Sequence, residues 1–307
     1  MNPAEHVRLG RTGLEVTRLG LGTAPLGGSP FPTVSEEDGS ALLDAAWAAG
    51  LRFFDTAPFY GFGLAERRLG AALRERPRDE AVVATKVGRL IRDGEPVFDF
   101  SDEGALASFR ESLERLGLER VDVLHIHDPD EHYDAALAGA YRALDRLRAD
   151  GLIGAVGAGM NQAAMLARFA REGRFDCFLL AGRFTLLDQS GLDELLPLCE
   201  REGIAVIAGG AFNSGILADP RPGATYDYRA APPELVERAL HLAQVCDRHG
   251  VPLAAAAIQF PLRHPAVACI VVGARSAAEV EEDVRLFQFD VPDALWADLR
   301  ERGLVRW

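Results

Sequence analysis

Cysteine is scarce in this chain, and basic residues are outnumbered by acidic ones. Its 307 residues include four cysteines, and 33 lysines and arginines stand against 46 aspartates and glutamates, a formal net charge of −13. Without a long basic cluster, this balance disfavours a phosphate backbone as partner, so no nucleic-acid binding is expected. The cysteines form no CxxC pair, which indicates reduced, structural thiols. They are Cys177, Cys199, Cys246 and Cys269.

Long apolar runs are also missing. No stretch approaches the roughly 18 uncharged apolar residues of a transmembrane helix, so no membrane partner is expected. The first residues, Met1 to His6, lack the basic-then-apolar pattern of a secretory signal, and we therefore expect a cytoplasmic protein. With 48% hydrophobic and 26% charged residues, the composition is typical of a globular protein with a sizeable core.

Short apolar runs alternate along the chain with amphipathic stretches. The predicted strands are residues 19–21, 53–56, 82–86, 121–127, 153–158, 177–181, 205–208 and 268–272. The predicted helices are residues 36–48, 65–74, 103–116, 135–148, 163–170, 192–201, 233–248 and 277–287. Eight such units predict an α/β fold, a (β/α)8 TIM barrel, as one domain over residues 1–307. A doubly wound open sheet is the alternative, but the early glycines do not form its GxGxxG turn.

Two segments outside these units have expected places in a barrel. Residues 7–9 and 15–19, around Arg11-Thr12-Gly13, predict a β-hairpin that leads into the first strand and plugs the bottom of the barrel. The segment 218–233 is rich in proline and glycine and is predicted to be a long loop. Loops of this length in barrels commonly serve the active site.

Ionisable residues lie at the predicted carboxyl ends of three strands, where a barrel has its active-site mouth. Asp55 ends the second strand and is followed by Tyr60, while Lys86 and His127 end the third and fourth. A lysine cation beside a tyrosine favours the phenolate, so Lys86 is expected to lower the pKa of Tyr60 and allow it to exchange a proton. Asp55 would keep Lys86 charged, and His127 would hydrogen-bond the substrate oxygen.

Each of these residues also has a purely structural explanation. An inward Asp55–Lys86 pair is compatible with a simple buried ion pair, and Tyr60 with packing in a loop. His125 and His127 alternate onto one strand face, but no third ligand occurs at suitable spacing, so no metal is expected. His125 is predicted to be a hydrogen-bonded core histidine.

Several separated motifs resemble the aldo-keto reductase family. They are GLRFFDTAPFYG at residues 50–61 followed by Glu66 and Gly70, ATK at 84–86, VDVLHIH at 121–127 and LGRTGLEV at 9–16. The resemblance implies a barrel, a nicotinamide cofactor and a catalytic tetrad of Asp55, Tyr60, Lys86 and His127. Residues 157–162, 180–187 and 212–217 are similar to a branch of the family that acts on sugars and pyridoxal.

The branch implies oxidation of the C1 hydroxyl of an aldose of the L-fucose, L-galactose or D-arabinose type to a lactone. The alternatives are a pyridoxal 4-dehydrogenase or a general aldehyde or ketone reductase with the same tetrad. A cofactor-binding regulatory subunit without turnover is a different class of function, and a metal-dependent isomerase on the same barrel is a third.

The resemblance also assigns cofactor contacts. From the Ser-Asn pair that holds the nicotinamide carboxamide only Asn161 carries over, because Met160 replaces the serine. Glu282 and Asp283 resemble the Glu-Asn pair that holds the adenine amino group. The further cofactor residues are Phe212, Ser214, Gly215, Leu217, Gly273, Arg275, Ser276 and Glu279.

The segment around Ser276 decides the expected cofactor. Backbone N–H groups at a helix start beside Arg275 suit a phosphate, although Ser276 with Glu279 three residues later is also a capping box. A carboxylate at Glu279 would repel a 2′-phosphate, so NAD is expected, with NADP left open through Arg275.

The expected partner is a small-molecule sugar or aldehyde, bound by a monomer or a homodimer. Arg89, Asp128 and Asn213, at strand ends or in loops, are the polar candidates for substrate contact. Trp307 is a candidate lid from the C-terminus, or alternatively a tail or a staple on the barrel wall.

Overall fold

Eight parallel strands close into one barrel in the computed structural model, which describes residues 1–28, 30–92 and 94–306. The strands are β1 (Leu19–Gly22), β2 (Phe53–Asp55), β3 (Val82–Val87), β4 (Val123–His127), β5 (Ala155–Met160), β6 (Cys177–Ala181), β7 (Ala205–Gly209) and β8 (Val267–Gly273). Each strand pairs with the next in sequence, and β8 returns to β1 with Ile270 opposite Leu19. The (β/α)8 prediction is confirmed, and the open sheet is wrong.

Helices cover the outside of the barrel. They are Glu36–Ala48, Leu64–Leu73, Asp102–Leu116, Tyr141–Ala149, Ala163–Glu172, Leu195–Glu202, Pro233–Arg248 and Ala277–Gln288. Three of them begin at a serine N-cap whose hydroxyl accepts a backbone N–H of the first turn, namely Ser35, Ser101 and Ser276. Within the described parts of the chain, no helix is long and apolar enough to cross a lipid bilayer.

The side chains of each strand alternate between the barrel interior and the helix layer. Phe53 belongs to the inner core and Phe54, the next residue, to the outer one. Gly20 shows how tightly the interior is filled, because a Cβ there would lie 2.7 Å from the Phe53 ring. All four cysteines are free and buried, as expected.

The N-terminal hairpin closes the bottom of the barrel. Strands His6–Arg8 and Glu15–Thr17 pair antiparallel. Leu9 and Val16 are fully buried and pack in the same cluster as the inner residue Phe53. The predicted plug is confirmed.

The sequence patterns missed several elements. Helices Leu253–Gln259 and Asp293–Glu301 add to the outer layer, and the segment predicted as helix 135–148 contains a π-helical turn, Ala136–Ala140. Two short hairpins follow strands at the mouth: Arg89–Arg92 with Glu95–Phe98 after β3, and Thr225–Tyr226 with Arg229–Ala230 after β7. Strands of two to four residues are too short to show a period of two, so pattern analysis cannot detect them.

Candidate active site

Three strand ends bring the proposed tetrad to the carboxyl end of the barrel. Asp55 is the last residue of β2, Lys86 lies in β3 and His127 ends β4. Tyr60 lies in the loop after β2, where its N–H donates to the carbonyl of Ala57 at 3.1 Å. The closed barrel therefore gathers the four side chains that the sequence spreads over more than 70 positions.

Lys86 and Asp55 form a buried ion pair. The ammonium lies 2.6 and 2.9 Å from the two Asp55 carboxylate oxygens and donates to the carbonyl of Thr56 at 2.9 Å. Both residues are at most 2% exposed. Desolvation acts against both charges, but the Asp55 carboxylate and the neighbouring Tyr60 raise the pKa of Lys86 above its usual value. Lys86 is therefore a fixed cation at neutral pH.

The phenol of Tyr60 lies between this cation and an imidazole. The Lys86 ammonium is 4.8 Å from the centre of the Tyr60 ring, and the ring meets that of His127 edge to face at 5.8 Å between centroids. Desolvation raises the pKa of Tyr60 to about 12, although the charge of Lys86 lowers it. The Lys86 cation acts in the expected direction, but the pKa of Tyr60 is raised overall, because removing a phenolate from water costs more free energy than one nearby cation offsets.

His127 is a neutral imidazole facing the mouth. Desolvation, with the charges of Lys86 and Arg89, holds its pKa well below the usual value. Its Nδ1 has no hydrogen-bond partner among the described residues, and its Nε2 is 3.5 Å from a carboxylate oxygen of Asp128. A neutral imidazole can donate a hydrogen bond to an uncharged substrate oxygen.

His125 departs from its prediction. It is fully buried in the barrel, but neither ring nitrogen has a hydrogen-bond partner among the described residues. Its ring packs against Gly157, where a Cβ would lie 2.2 Å from Nδ1. Desolvation and the charge of Lys86 hold the pKa of His125 well below its usual value, so it stays neutral.

Arg89 and Asp128 line the mouth next to His127. The guanidinium donates to an Asp128 oxygen at 2.6 Å and lies 3.6 Å above the centre of the Phe59 ring. Asp128 has a left-handed backbone, φ +42°, and its N–H donates to the carbonyl of Gly159. Both charged side chains remain partly exposed, at 27% and 30%. The pair presents donors and an acceptor to a molecule that enters the mouth.

Asn213 and Trp307 are the other two candidates for contact with the substrate. Asn213 is only 3% exposed, and its amide donates to the carbonyl of Gly182 at 3.1 Å, so it ties two loops together instead of facing the mouth. Trp307 lies outside the described residues. Among the described residues, no group of three or more His, Cys, Asp or Glu side chains is arranged to hold a metal ion.

The predicted cofactor residues lie around the carboxyl ends of β5, β7 and β8. Asn161 is exposed directly after β5. After β7, Phe212 and Ser214 are half-buried, Gly215 is exposed with φ +101°, and Leu217 is fully buried, so a cofactor cannot meet its side chain without rearrangement.

At the end of β8, Gly273 and Arg275 are exposed, and Ser276 caps the following helix. Arg275 is paired with Glu279: its guanidinium is 2.6 Å from one carboxylate oxygen, and its backbone N–H donates to the other at 2.8 Å. The Ser276 hydroxyl accepts the N–H of Glu279 at 3.3 Å, so Ser276 caps the helix while the Glu279 carboxylate pairs with Arg275.

Farther along the same helix, Glu282 is exposed and paired with Arg285 at 2.5 Å. Asp283 is only 8% exposed, and no basic partner contributes to its pKa. Desolvation, then the carboxylates of Glu279 and Glu282, raise its pKa to about 7.

Glycines and the start of a helix border the mouth of the barrel. Glycines lie at or next to the carboxyl ends of β1, β5, β7 and β8, namely Gly22, Gly159, Gly209 and Gly273. At Gly22 and Gly159 a Cβ would meet only ordinary van der Waals contacts, from 3.5 Å, so neither position is crowded at this rim of the barrel. Beside it, the N-terminus of helix Ala277–Gln288 offers the positive end of a helix dipole to a phosphate.

Sequence analysis missed the aromatic side chains at the mouth. Phe59 supports Arg89, and Phe98, from the hairpin after β3, stacks on Phe100 at 6.2 Å between centroids. Phe31 and Tyr228 meet edge to face at 5.7 Å. Phe59 could have been found from its place beside Tyr60, and Phe98 and Phe100 from their spacing of two, but the contact of Phe31 with Tyr228 joins loops far apart in sequence and leaves no local signal.

Comparison with known proteins agrees with this geometry. The model of the Aldo/keto reductase family matches residues 18–302. Pyridoxal 4-dehydrogenase of Microbacterium luteolum is 44% identical, over 99% of both chains, and D-threo-aldose 1-dehydrogenase of a Pseudomonas species is 42% identical, over 95% of this chain and 96% of the relative. L-galactose dehydrogenase of Arabidopsis thaliana is 34% identical, over 92% and 88%. The holo form of an aldo-keto reductase from Bacillus halodurans shares the fold, with a TM-score of 0.81 at 24% identity over 98% of this chain and 96% of that one.

Proposed function

The chain belongs to the aldo/keto reductase family and is an NAD(P)-dependent oxidoreductase, and from this premise we propose that it oxidises the C1 hydroxyl of an aldose to the lactone. The observation that carries the proposal is the position of Tyr60, with the Lys86 ammonium 4.8 Å from its ring on one side and His127 on the other. In this proposal Tyr60 is the proton acceptor, Lys86 the cation and His127 the neutral hydrogen-bond donor.

Each tetrad residue has a distinct role in this reaction. Tyr60 takes the proton of the C1 hydroxyl as the C–H bond breaks, and Lys86 stabilises the phenolate form that accepts it. Asp55 holds Lys86 in place and charged, through contacts of 2.6 and 2.9 Å. His127 orients the sugar oxygen through its neutral imidazole.

The nicotinamide, when bound, supplies the acceptor for the hydride that leaves C1. The residues that would hold the dinucleotide are Asn161 and Phe212 near the ring, Ser214, Gly215 and Leu217 in the turn after β7, and Gly273, Arg275, Ser276, Glu279, Glu282 and Asp283 towards the adenosine end. Because Leu217 is buried, its contribution would be to shape the turn.

An aldose is favoured as substrate by the Arg89–Asp128 pair. Its guanidinium and carboxylate, 2.6 Å apart and partly exposed, offer donors and acceptors to neighbouring hydroxyls of a sugar ring. The similarity to D-threo-aldose 1-dehydrogenase supports the same class. Pyridoxal is the second candidate, supported by the 44% identity to pyridoxal 4-dehydrogenase and by the aromatic rings of Phe59 and Phe98 at the mouth.

NAD is the proposed cofactor. Glu279 neutralises Arg275 and adds a negative charge where the 2′-phosphate of NADP would need a cation. The buried carboxyl of Asp283 on the same helix adds to the negative character of this end of the site when it is ionised.

The test is reduction of NAD and NADP across a panel of substrates. We expect rapid reduction of NAD with aldoses of one configuration from the set L-fucose, L-galactose, D-arabinose and L-xylose, and lactone as the product by mass spectrometry. Turnover of pyridoxal or simple aldehydes with none of the sugars would contradict the aldose proposal and keep the tetrad. A protein that binds NADH but turns over none of these compounds would indicate a regulatory subunit.

A further inference from the structure

Glu66 and Gly70 belong to the motif that follows Tyr60, but the proposed reaction assigns them no role. Glu66 lies in the first turn of helix Leu64–Leu73 and is fully buried. Each of its carboxylate oxygens accepts a hydrogen bond: one from the Thr85 hydroxyl at 2.7 Å, the other from Nε of Arg115 at 2.5 Å. A buried carboxylate is costly unless it is paired and hydrogen-bonded, so these two contacts hold Glu66 in one position.

The Thr85 hydroxyl fixes β3 one residue away from Lys86. Thr85 is fully buried, and in an extended strand its side chain points to the opposite face from that of Lys86. Inside the barrel, the Lys86 ammonium contacts Asp55 at 2.6 Å. In the helix layer, the Thr85 hydroxyl contacts Glu66. The end of β3 is therefore held from both faces.

The turn that contains Glu66 also ends the loop that carries Tyr60. The N–H of Ala65 donates to the carbonyl of Tyr60 at 3.2 Å, and the N–H of Leu64 donates to the carbonyl of Gly61 at 3.0 Å. Because of these two bonds, a shift of the turn moves the backbone at Tyr60. Glu66 thus links the segment that carries Tyr60 to the strand that carries the lysine.

Two glycines let Arg115 reach Glu66 from the neighbouring helix. At Gly70, a Cβ would lie 2.1 Å from the carbonyl oxygen of Leu116, so the close approach of the two helices requires glycine there. At Gly63, a Cβ would lie 2.5 Å from Cδ of Arg115. The helices therefore pack closely enough for the Arg115 guanidinium to form an ion pair with the buried carboxylate.

We propose that Glu66 is a positioning residue for the proton transfer: its carboxylate joins the Tyr60 loop to β3 and sets the distance between the Tyr60 hydroxyl and the Lys86 ammonium. That ammonium is 4.8 Å from the centre of the Tyr60 ring. A displacement of about 1 Å at a reacting group can lower a rate by about 100-fold, so a contact outside the site can control the reaction. Glu66 acts through Thr85 and the backbone of residues 60–65. The inference rests on the proposed role of Tyr60 as proton acceptor and is independent of which substrate the enzyme takes.

The first pair of variants removes and restores the contact at Thr85. Thr85→Val is nearly isosteric and deletes the hydroxyl that Glu66 accepts, whereas Thr85→Ser keeps a hydroxyl. Rates are measured with the compound that the wild type turns over fastest. We expect Thr85→Val to lower kcat about 10-fold, with KM and the Kd for NADH within about twofold of the wild type. Thr85→Ser should keep kcat within about threefold.

The second pair separates positioning from stability. Glu66→Ala removes the whole link and should lower kcat by about 10-fold or more. Its matched control is Asp122→Ala, because the Asp122 carboxylate accepts the N–H of Val83 at 2.8 Å and a guanidinium N–H of Arg78 at 2.7 Å. Asp122 thus anchors the same strand near its amino end, remote from the mouth. Both variants should lower Tm, but Asp122→Ala should keep kcat within about twofold of the wild type. The Thr85 variants decide the question if Glu66→Ala does not fold.

Three results would overturn the proposal. They are an unchanged kcat in Thr85→Val, a Thr85→Ser variant as slow as Thr85→Val, and an equal loss of kcat in Glu66→Ala and Asp122→Ala. The last would show that lost stability alone lowers the rate.

The Tyr60→Phe variant distinguishes a failure of this proposal from a failure of the proposed function. If Tyr60→Phe keeps a near-normal kcat, the role of Tyr60 fails, and the positioning role of Glu66 fails with it. If Tyr60→Phe is inactive while Thr85→Val matches the wild type, only the role of Glu66 fails.

Discussion

The Lys86 ammonium contacts both carboxylate oxygens of Asp55, at 2.6 and 2.9 Å, in a place where neither residue is more than 2% exposed. Each ion alone would be far less stable in the barrel than in water, so the two charges depend on their mutual contacts. The pair can therefore orient Tyr60 without moving during the reaction. The ion pair therefore contributes to the stability of the barrel and also fixes the positive charge beside Tyr60.

Removing one partner should cost stability as well as activity. Asp55→Asn leaves an unpaired buried ammonium and should lower the free energy of unfolding by about 3–5 kcal/mol. The double variant Asp55→Leu with Lys86→Met removes both charges and should regain most of that stability without activity. Urea unfolding and initial rates measure the two effects. A double variant as unstable as Asp55→Asn would contradict this account.

Loss of the Tyr60 hydroxyl should stop turnover. Tyr60→Phe keeps the ring contacts with Lys86 and His127 but has no group to take the proton, so kcat should fall by about 10²–10⁴-fold. NADH binding should remain close to that of the wild type. Tyr141→Phe is the matched control, since its hydroxyl only accepts the N–H of Arg174 on the barrel exterior. A Tyr60→Phe variant with near-normal kcat would remove Tyr60 from the mechanism.

Oxidation should accelerate with pH. The pKa of Tyr60 is raised to about 12, so its phenolate fraction increases by about tenfold per unit of pH throughout the range below that value. His127 has a pKa well below its usual value and adds no ionisation near neutrality. Profiles of kcat from pH 6 to pH 10 should therefore rise for oxidation and stay level for reduction. An acidic limb near the usual histidine pKa would instead assign the proton acceptor to His127.

The charge at Glu279 should set the choice between NAD and NADP. Glu279→Gln frees the Arg275 guanidinium from its 2.6 Å contact, and Glu279→Arg adds a second cation. Both should raise the ratio of kcat/KM for NADP to that for NAD, the second by more. Glu282→Gln, exposed one turn further along, is the control for a general loss of negative charge. Equal ratios in all variants would show that Glu279 has no part in the choice.

Asp283 should destabilise the cofactor-free fold at neutral pH. Its pKa is raised to about 7, so the folded chain holds this proton more tightly than the unfolded chain does. Stability is therefore lost as pH rises from about 4 through 7, by up to about 4 kcal/mol. Asp283→Asn should raise Tm at pH 8 and leave it nearly unchanged at pH 4. Glu281→Gln, exposed on the same helix, should change Tm little at either pH, and an equal gain in both variants would point to general charge repulsion.

Local sequence patterns were enough to predict the barrel and the positions of its polar strand ends. Alternation of buried runs with amphipathic stretches is a local property, so eight units could be counted, and the serine N-cap at Ser276 needed only neighbouring residues. The motif around Asp55 and Tyr60 determined the family for the same reason. Because the carboxyl ends of all strands in a closed barrel meet at one rim, the meeting of Asp55, Lys86 and His127 followed from that count.

The ionisation and the contacts of these groups depend on the folded chain. The pKa of Tyr60 rises because burial by the surrounding elements removes water from its hydroxyl. The extent of this burial cannot be read from the residues next to Tyr60 in sequence. The Asn213 amide donates to the carbonyl of Gly182, and the Arg275 guanidinium donates to Glu279. The side-chain conformations that make these contacts are set by the folded backbone. The contact of Tyr228 with Phe31 joins two loops that are nearly 200 residues apart in sequence. These loops follow β7 and β1, and they come close because one strand, β8, separates β7 from β1 in the closed barrel.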